Sequence, residues 1–153
     1  MSTVSVSRHL PATPERVWQT VMDPDRLGEW VTIHRGLRHA DGGPPRVGYE
    51  MNQQIHLRGV TLEVHWELVE CTAGRLAVWE GRGPAHSRAR TEYALHPEDG
   101  GTRFDYRNEF RPPLGAIGAL ASRALVGGMP EREASRTLER LGELLRDDGP
   151  RDT

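Results

Sequence analysis

The chain has 153 residues, with 20 basic against 22 acidic side chains and a formal net charge of −2. A chain of this length buries roughly 70% of the surface it exposes when unfolded, enough for one core and a modest cavity, and charges mixed this evenly form no basic stripe for nucleic acid. Every basic residue is arginine and Cys71 is the single cysteine, which excludes a lysine nucleophile or base and an internal disulfide.

No apolar leader opens the chain, and no apolar run approaches the ~20 residues that span a bilayer. The expectation is a soluble cytoplasmic protein without membrane insertion. Val4, Val6 and Arg8 alternate with Ser5, Ser7 and His9, a strand that Pro11 ends by withholding a ladder donor. Thr13 is placed to cap a helix opened by Pro14, with Val17, Trp18 and Val21 on one face. Asp23 and Pro24 repeat the device for a second short helix, whose apolar side is Leu27 and Trp30.

From Arg35 onward the pattern is that of strands. Val47, Tyr49, Met51, Gln53 and Ile55 share one side of a strand over Arg46 to Ile55; Leu62, Val64, Trp66 and Leu68 share one side of the next. Leu76 to Glu80 is a short apolar strand, read with Leu76, Val78 and Glu80 inward. Ala89, Thr91, Tyr93 and Leu95 oppose Arg88, Arg90, Glu92 and Ala94, and Phe104, Tyr106, Asn108 and Phe110 oppose Arg103, Asp105, Arg107 and Glu109. Asp99-Gly100-Gly101 and Cys71 to Gly74 carry hairpin chemistry, and Asp41 to Pro45 is a longer loop. These connections imply an antiparallel meander with one charged face and one buried face.

The cover for the buried face is a C-terminal helix. Leu114, Ile117, Leu120, Ala121, Ala124 and Leu125 fall at helical spacing, and Leu138, Leu141, Leu144 and Leu145 resume it after Gly127-Gly128-Met129-Pro130. Pro130 removes a hydrogen bond and crowds the preceding turn, so a kink near Gly128 or a break into two helices is expected. Asp147 to Thr153 reads as a frayed tail, leaving one domain over residues 1–146.

The run Leu10-Pro11-Ala12, Val17-Trp18, Asp23-Pro24 and Trp30 resembles the START-like, helix-grip (SRPBCC) superfamily, in its polyketide cyclase/dehydrase-like branch. The resemblance implies an α+β fold: a curved antiparallel sheet of about six or seven strands wrapped around a long, kinked C-terminal helix, with two short helices after the first strand. It also implies an internal cavity for a hydrophobic guest.

Alternation nominates the lining of such a cavity. From the sheet it selects Tyr49, Met51, Gln53, Leu62, Val64, Trp66, Tyr93, Tyr106, Asn108 and Phe110; from the helices, Trp30, Ile117, Ala121, Leu125 and Met129. Rings, flexible methionines and a few amides suit a flat, partly oxygenated hydrophobic molecule. The same side chains at strand spacing also suit plain core.

Signals for catalysis are sparse. His9, His34, His39, His56, His65, His86 and His96 lack ligand spacing, so no metal or other cofactor is expected. The catalytic candidates are Glu80, as an inward carboxylate; His34, at the mouth; and Tyr93 and Tyr106. Cyclases of the resembling branch are thought to use tyrosines and an inward arginine, whereas Arg88, Arg90, Arg103 and Arg107 all alternate outward here. Two readings remain: a small-molecule binding protein, and a cyclase/dehydrase-type enzyme. Glu80 discriminates between them, and oligomeric state, monomer or homodimer, is open.

Overall fold

The computed structural model describes residues 2–112 and 129–148. Strand β1 (Ser2–Leu10) leads into α1 (Pro14–Val21), a short 3-10 turn (Pro24–Arg26) and α2 (Leu27–Trp30). Six strands follow: β2 (His34–Ala40), β3 (Glu50–Leu57), β4 (Val60–Thr72), β5 (Leu76–Arg82), β6 (Arg88–Glu98) and β7 (Gly101–Arg111). The last described element is α3 (Glu131–Asp147). The seven strands form one antiparallel, curved sheet in the order β1-β7-β6-β5-β4-β3-β2. The meander therefore runs from β2 to β7, and β1 returns beside β7.

Local chemistry explains the entry to the fold. The Thr13 hydroxyl accepts from the Arg16 amide at 3.3 Å, and the Asp23 carboxylate accepts from the Asp25 amide at 3.0 Å, so both expected caps form. Asp99 and Gly100 both take positive φ, 44° and 77°, the twist that a two-residue hairpin needs. Arg58 and Gly59 make the β3–β4 turn in the same way, with φ of 49° and 80°.

Helix α3 buries Ala134, Thr137, Leu138, Leu141, Gly142 and Leu145, a stripe at three-and-four spacing, against β1 and α2. Each of its inward leucines is at most 1% exposed, and burial of each contributes about 1.5–3 kcal/mol. Gly142 lets the helix cross low over β1, since a Cβ there would lie 3.3 Å from Arg8 Nε.

Polar clamps fix both ends of α3. At the start, the Thr32 hydroxyl donates to Glu133 at 2.7 Å and the Thr32 amide donates to the Thr137 hydroxyl at 3.2 Å. At the end, Arg16 donates to the carbonyls of Leu145 and Asp148 at 3.0 and 2.9 Å, and Arg26 pairs with the Asp148 carboxylate. The chain is extended at Pro130, with φ −62° and ψ 146°, so α3 starts afresh after the proline rather than running through it. Leu114, Ile117, Leu120, Ala121, Ala124, Leu125, Gly127 and Gly128 lie outside the described residues, as does the tail beyond Asp148.

Candidate functional site

Between the α3 side of the core and the far half of the sheet, a pocket of about 100 Å³ opens on the inner face of β3 to β7. That is space for roughly three waters, at their liquid share of about 30 Å³ each. Strict alternation builds its floor: β3 buries Met51, Gln53, Ile55 and Leu57 while the intervening residues stay partly exposed. Opposite them stand Val64 and Trp66 of β4, in register with Gln53 and Met51. Leu27, Val31 and Ile33 close one side, and Met129 is the contribution from just before α3.

Glycine makes part of the space. At Gly81, which pairs with Trp66 and Ala89, a Cβ would lie 2.8 Å from the Trp66 ring and from Val64 Cγ1. The Cε3–Cζ3 edge of the tryptophan ring therefore rests against bare backbone.

Three groups of polar atoms meet the pocket. In the first, Trp66 Nε1 donates to Gln53 Oε1 at 2.9 Å, and Gln53 Nε2 lies 2.8 Å from His34 Nδ1. An indole only donates, so the Gln53 oxygen must face Trp66 and its amide nitrogen must donate to His34. That leaves Nδ1 of His34 as an acceptor and places the ring proton on Nε2. Desolvation lowers the His34 pKa, which favours the same neutral form.

The second group lies across β6 and β7, where Thr91 pairs with Asn108 and Tyr93 with Tyr106. The Thr91 hydroxyl donates to Asn108 Oδ1 at 2.7 Å, and the Asn108 amide reaches Met129 Sδ at 3.8 Å. Burial pushes the Tyr106 phenol up to about 12, with an Asn108 hydrogen bond pulling the other way. Tyr93 is raised well above its ordinary value, first by burial and then by the neighbouring Tyr106. Both phenols stay protonated at neutral pH, so they can donate hydrogen bonds or protons but cannot serve as bases.

The third group has no protein partner among the described residues. Trp79 Nε1 and Ser87 Oγ are buried without a hydrogen bond, and both residues line the pocket. An orphaned buried donor costs about 1–3 kcal/mol relative to a paired one.

Met51, Gln53, Val64, Trp66, Tyr93, Tyr106, Asn108, Phe110 and Met129 all lie on this wall. Trp30, Tyr49 and Leu62 do not. Trp30 is fully buried beneath the wall, edge-on to Tyr93 at 5.7 Å, Tyr106 at 6.2 Å and Phe104 at 6.4 Å. Tyr49 packs edge-on against Trp79 at 6.1 Å, and Leu62 belongs to the solid core. Ile117, Ala121 and Leu125 lie outside the described residues.

The expected inward carboxylate is corrected. Glu80 is exposed on the outer face, 3.4 Å from Arg90, because β5 turns Ala77, Trp79 and Gly81 inward instead. The run Leu76-Ala77-Val78-Trp79 is apolar at both parities and gives alternation no phase. His34 is half-buried at the start of β2, bonded to Gln53 rather than placed free at a mouth.

Alternation alone also omitted Trp79, Ser87, Arg88 and Thr91 from the lining. Thr91 has the inward parity of its strand, and Trp79 lies on the parity opposite to the one expected for β5. Ser87 and Arg88 depend on the turn at Pro84–His86, where Ala85 and His86 adopt φ of 55° and 63°. Gly81-Arg82-Gly83-Pro84 marks a tight turn here, but not the left-handed backbone of the two residues that follow it.

Among the described residues no cluster of histidine, cysteine or acidic side chains could hold a metal ion, and no helix is long and apolar enough to cross a membrane. A sheet gripping a C-terminal helix, with its hollow on the concave face, is the helix-grip architecture. The chain belongs to the family described as polyketide cyclase / dehydrase and lipid transport, whose model matches residues 1–146.

It is 25% identical over 146 residues to Uncharacterized protein Rv1546 of Mycobacterium tuberculosis, covering 94% of this chain and 99% of the relative. It is 24% identical over 127 residues to Toxin Rv0910 of the same organism, covering 82% of this chain and 88% of that one. Among solved structures, TTHA0849 from Thermus thermophilus superimposes with a TM-score of 0.72 at 20% identity, covering 96% of this chain and 99% of that one. That last likeness concerns the fold alone.

Proposed function

We propose that this protein binds a small hydrophobic, partly oxygenated molecule in the pocket between the sheet and its helical cover. One observation carries the reading: Trp79, on the pocket wall, holds a buried indole N–H without a partner among the described residues. A guest carrying a carbonyl or ether oxygen would satisfy it while stacking on the rings of Trp66 and Trp79. Gln53 and Asn108 already have protein partners, so they shape the wall and leave recognition to Trp79, Ser87 and the tyrosine pair. The pocket, with the wall residues found on it, is the site we assign, and we infer a single cytoplasmic domain over residues 1–146.

A second reading, a cyclase/dehydrase-type enzyme, is favoured by the family and by the protonated Tyr93 and Tyr106 side by side at 5.9 Å. Against it, Glu80 faces away and, among the described residues, the tyrosines have no base beside them. Binding therefore ranks first.

Native mass spectrometry of freshly purified protein tests this reading. A co-purifying small molecule is expected, with occupancy reduced in Trp79→Phe, which keeps the ring and removes the N–H. A protein that carries no guest and whose pocket tryptophans respond to no added hydrophobic compound would overturn it.

A further inference from the structure

The charged outer face of the sheet is well paired over most of its area. Arg90 lies within 3.4 Å of Glu80 and 3.5 Å of Glu92, Arg107 within 2.8 Å of Glu109, and Arg103 within 3.3 Å of Asp105. At one end the pattern stops. Arg82 of β5 stands directly opposite Arg88 of β6, which stands directly opposite Arg111 of β7. All three are exposed, and none has a carboxylate partner among the described residues.

Neighbouring strands are ~4.8 Å apart, so three like charges in adjacent register repel one another. The row also adjoins the pocket. Arg88 lines both the pocket and the shallow depression on the outer face. Its neighbour Ser87 turns inward, 1% exposed, with its hydroxyl unpartnered. The turn that holds Ser87 there places two non-glycine residues, Ala85 and His86, in left-handed backbone, a costly conformation. Glu109 reaches the same rim, but its carboxylate is engaged by Arg107.

We propose that this rim takes the carboxylate of an amphiphilic organic acid whose apolar body fills the pocket. The carboxylate accepts from the Ser87 hydroxyl and the Arg88 guanidinium, and Arg82 and Arg111 supply further positive field. The inference rests on the pocket reading and narrows its guest from hydrophobic molecules in general to anionic ones.

Decanoate and decanol share an apolar chain and differ in charge, and their binding can be followed through the fluorescence of Trp66 and Trp79. At about 20 mM salt, where exposed charges are least screened, decanoate is expected to bind about tenfold tighter than decanol, the worth of one charge-assisted hydrogen bond. The triple variant Arg82→Gln, Arg88→Gln, Arg111→Gln should bring the two affinities together by weakening decanoate alone. Ser87→Ala should weaken decanoate by a smaller factor. Arg75→Gln, at the opposite end of β5, should change neither.

Equal affinity for both compounds in the unaltered protein would overturn the charge inference and leave the pocket reading intact. So would a triple variant that keeps the preference. Displacement of decanoate by inorganic phosphate, beyond that by chloride at equal ionic strength, would assign the row to free anions and overturn the proposal likewise. Binding of neither compound would sink both readings. Because the row is exposed and self-repelling, the triple variant should melt no lower than the parent, which separates loss of binding from loss of fold.

Discussion

Replacing Gly81 with alanine tests how the pocket wall is built. Its φ lies outside the left-handed region, so the change brings no backbone strain, and by restricting the unfolded chain an added methyl would stabilise by about 0.5–1 kcal/mol. Against this, the new Cβ would sit 2.8 Å from Trp66 Cε3, Trp66 Cζ3 and Val64 Cγ1. The Trp66 ring cannot simply swing away, because its N–H is held by Gln53 at 2.9 Å. Overpacking of this kind costs about 1–3 kcal/mol.

At mid-range the overpacking cost exceeds the gain, leaving a net destabilisation of about 1 kcal/mol, or about 2–4 °C in melting temperature. Urea denaturation of four proteins, the parent, Gly81→Ala, Trp66→Ala and the double variant, measures it. Two of the three crowded atoms belong to Trp66, so the alanine should cost markedly less in the Trp66→Ala background. If Gly81→Ala is as stable as the parent, or costs the same in both backgrounds, the account of glycine as the seat of Trp66 is wrong.

Three further outcomes follow from the geometry. The folded-state pKa of His34 lies below its ordinary 6.5, so the stability it confers is fully present above that pH and is lost as pH falls through the folded value. Urea midpoints should drop between neutral and mildly acidic pH, by less in His34→Gln, and long-range nitrogen NMR should find the proton on Nε2. Tyr49, Tyr93 and Tyr106 all have raised pKa values, so a titration followed by phenolate absorbance should show no step at the ordinary 10.0; a full step there would contradict the burial of the pair. The Thr102 hydroxyl, fully buried, donates to the Ala12 carbonyl at 2.7 Å, so Thr102→Val should destabilise by about 1–3 kcal/mol, and a thermal melt unchanged from the parent would refute that.

How much of this was legible in the sequence depended on whether local chemistry or distant packing decides each feature. Thr13 and Asp23 cap their helices through hydroxyl and carboxylate groups that act within three residues, so the entry to the fold could be read directly. Strands β3, β6 and β7 have one polar and one apolar face, which fixes their phase. In β5 both faces are apolar: Val78 is fully buried although its partners Glu70 and Glu92 belong to the charged side, and that is what misplaced Glu80. The orphaned Ser87 and the arginine row are products of register. Arg82, Arg88 and Arg111 are scattered in the sequence, and only pairing of three strands makes them neighbours.

Fastening α3 at both termini divides the labour within the molecule. Thr32, Glu133 and Thr137 at one end, and Arg16, Arg26 and Asp148 at the other, bind the rod to the β1 and α2 side without drawing on the residues that surround the hollow. Rigidity and recognition therefore reside in different side chains. Exchanging Met51, Val64 or Phe110 to suit another guest would leave those anchors untouched, so such a scaffold can change what it holds while keeping its frame.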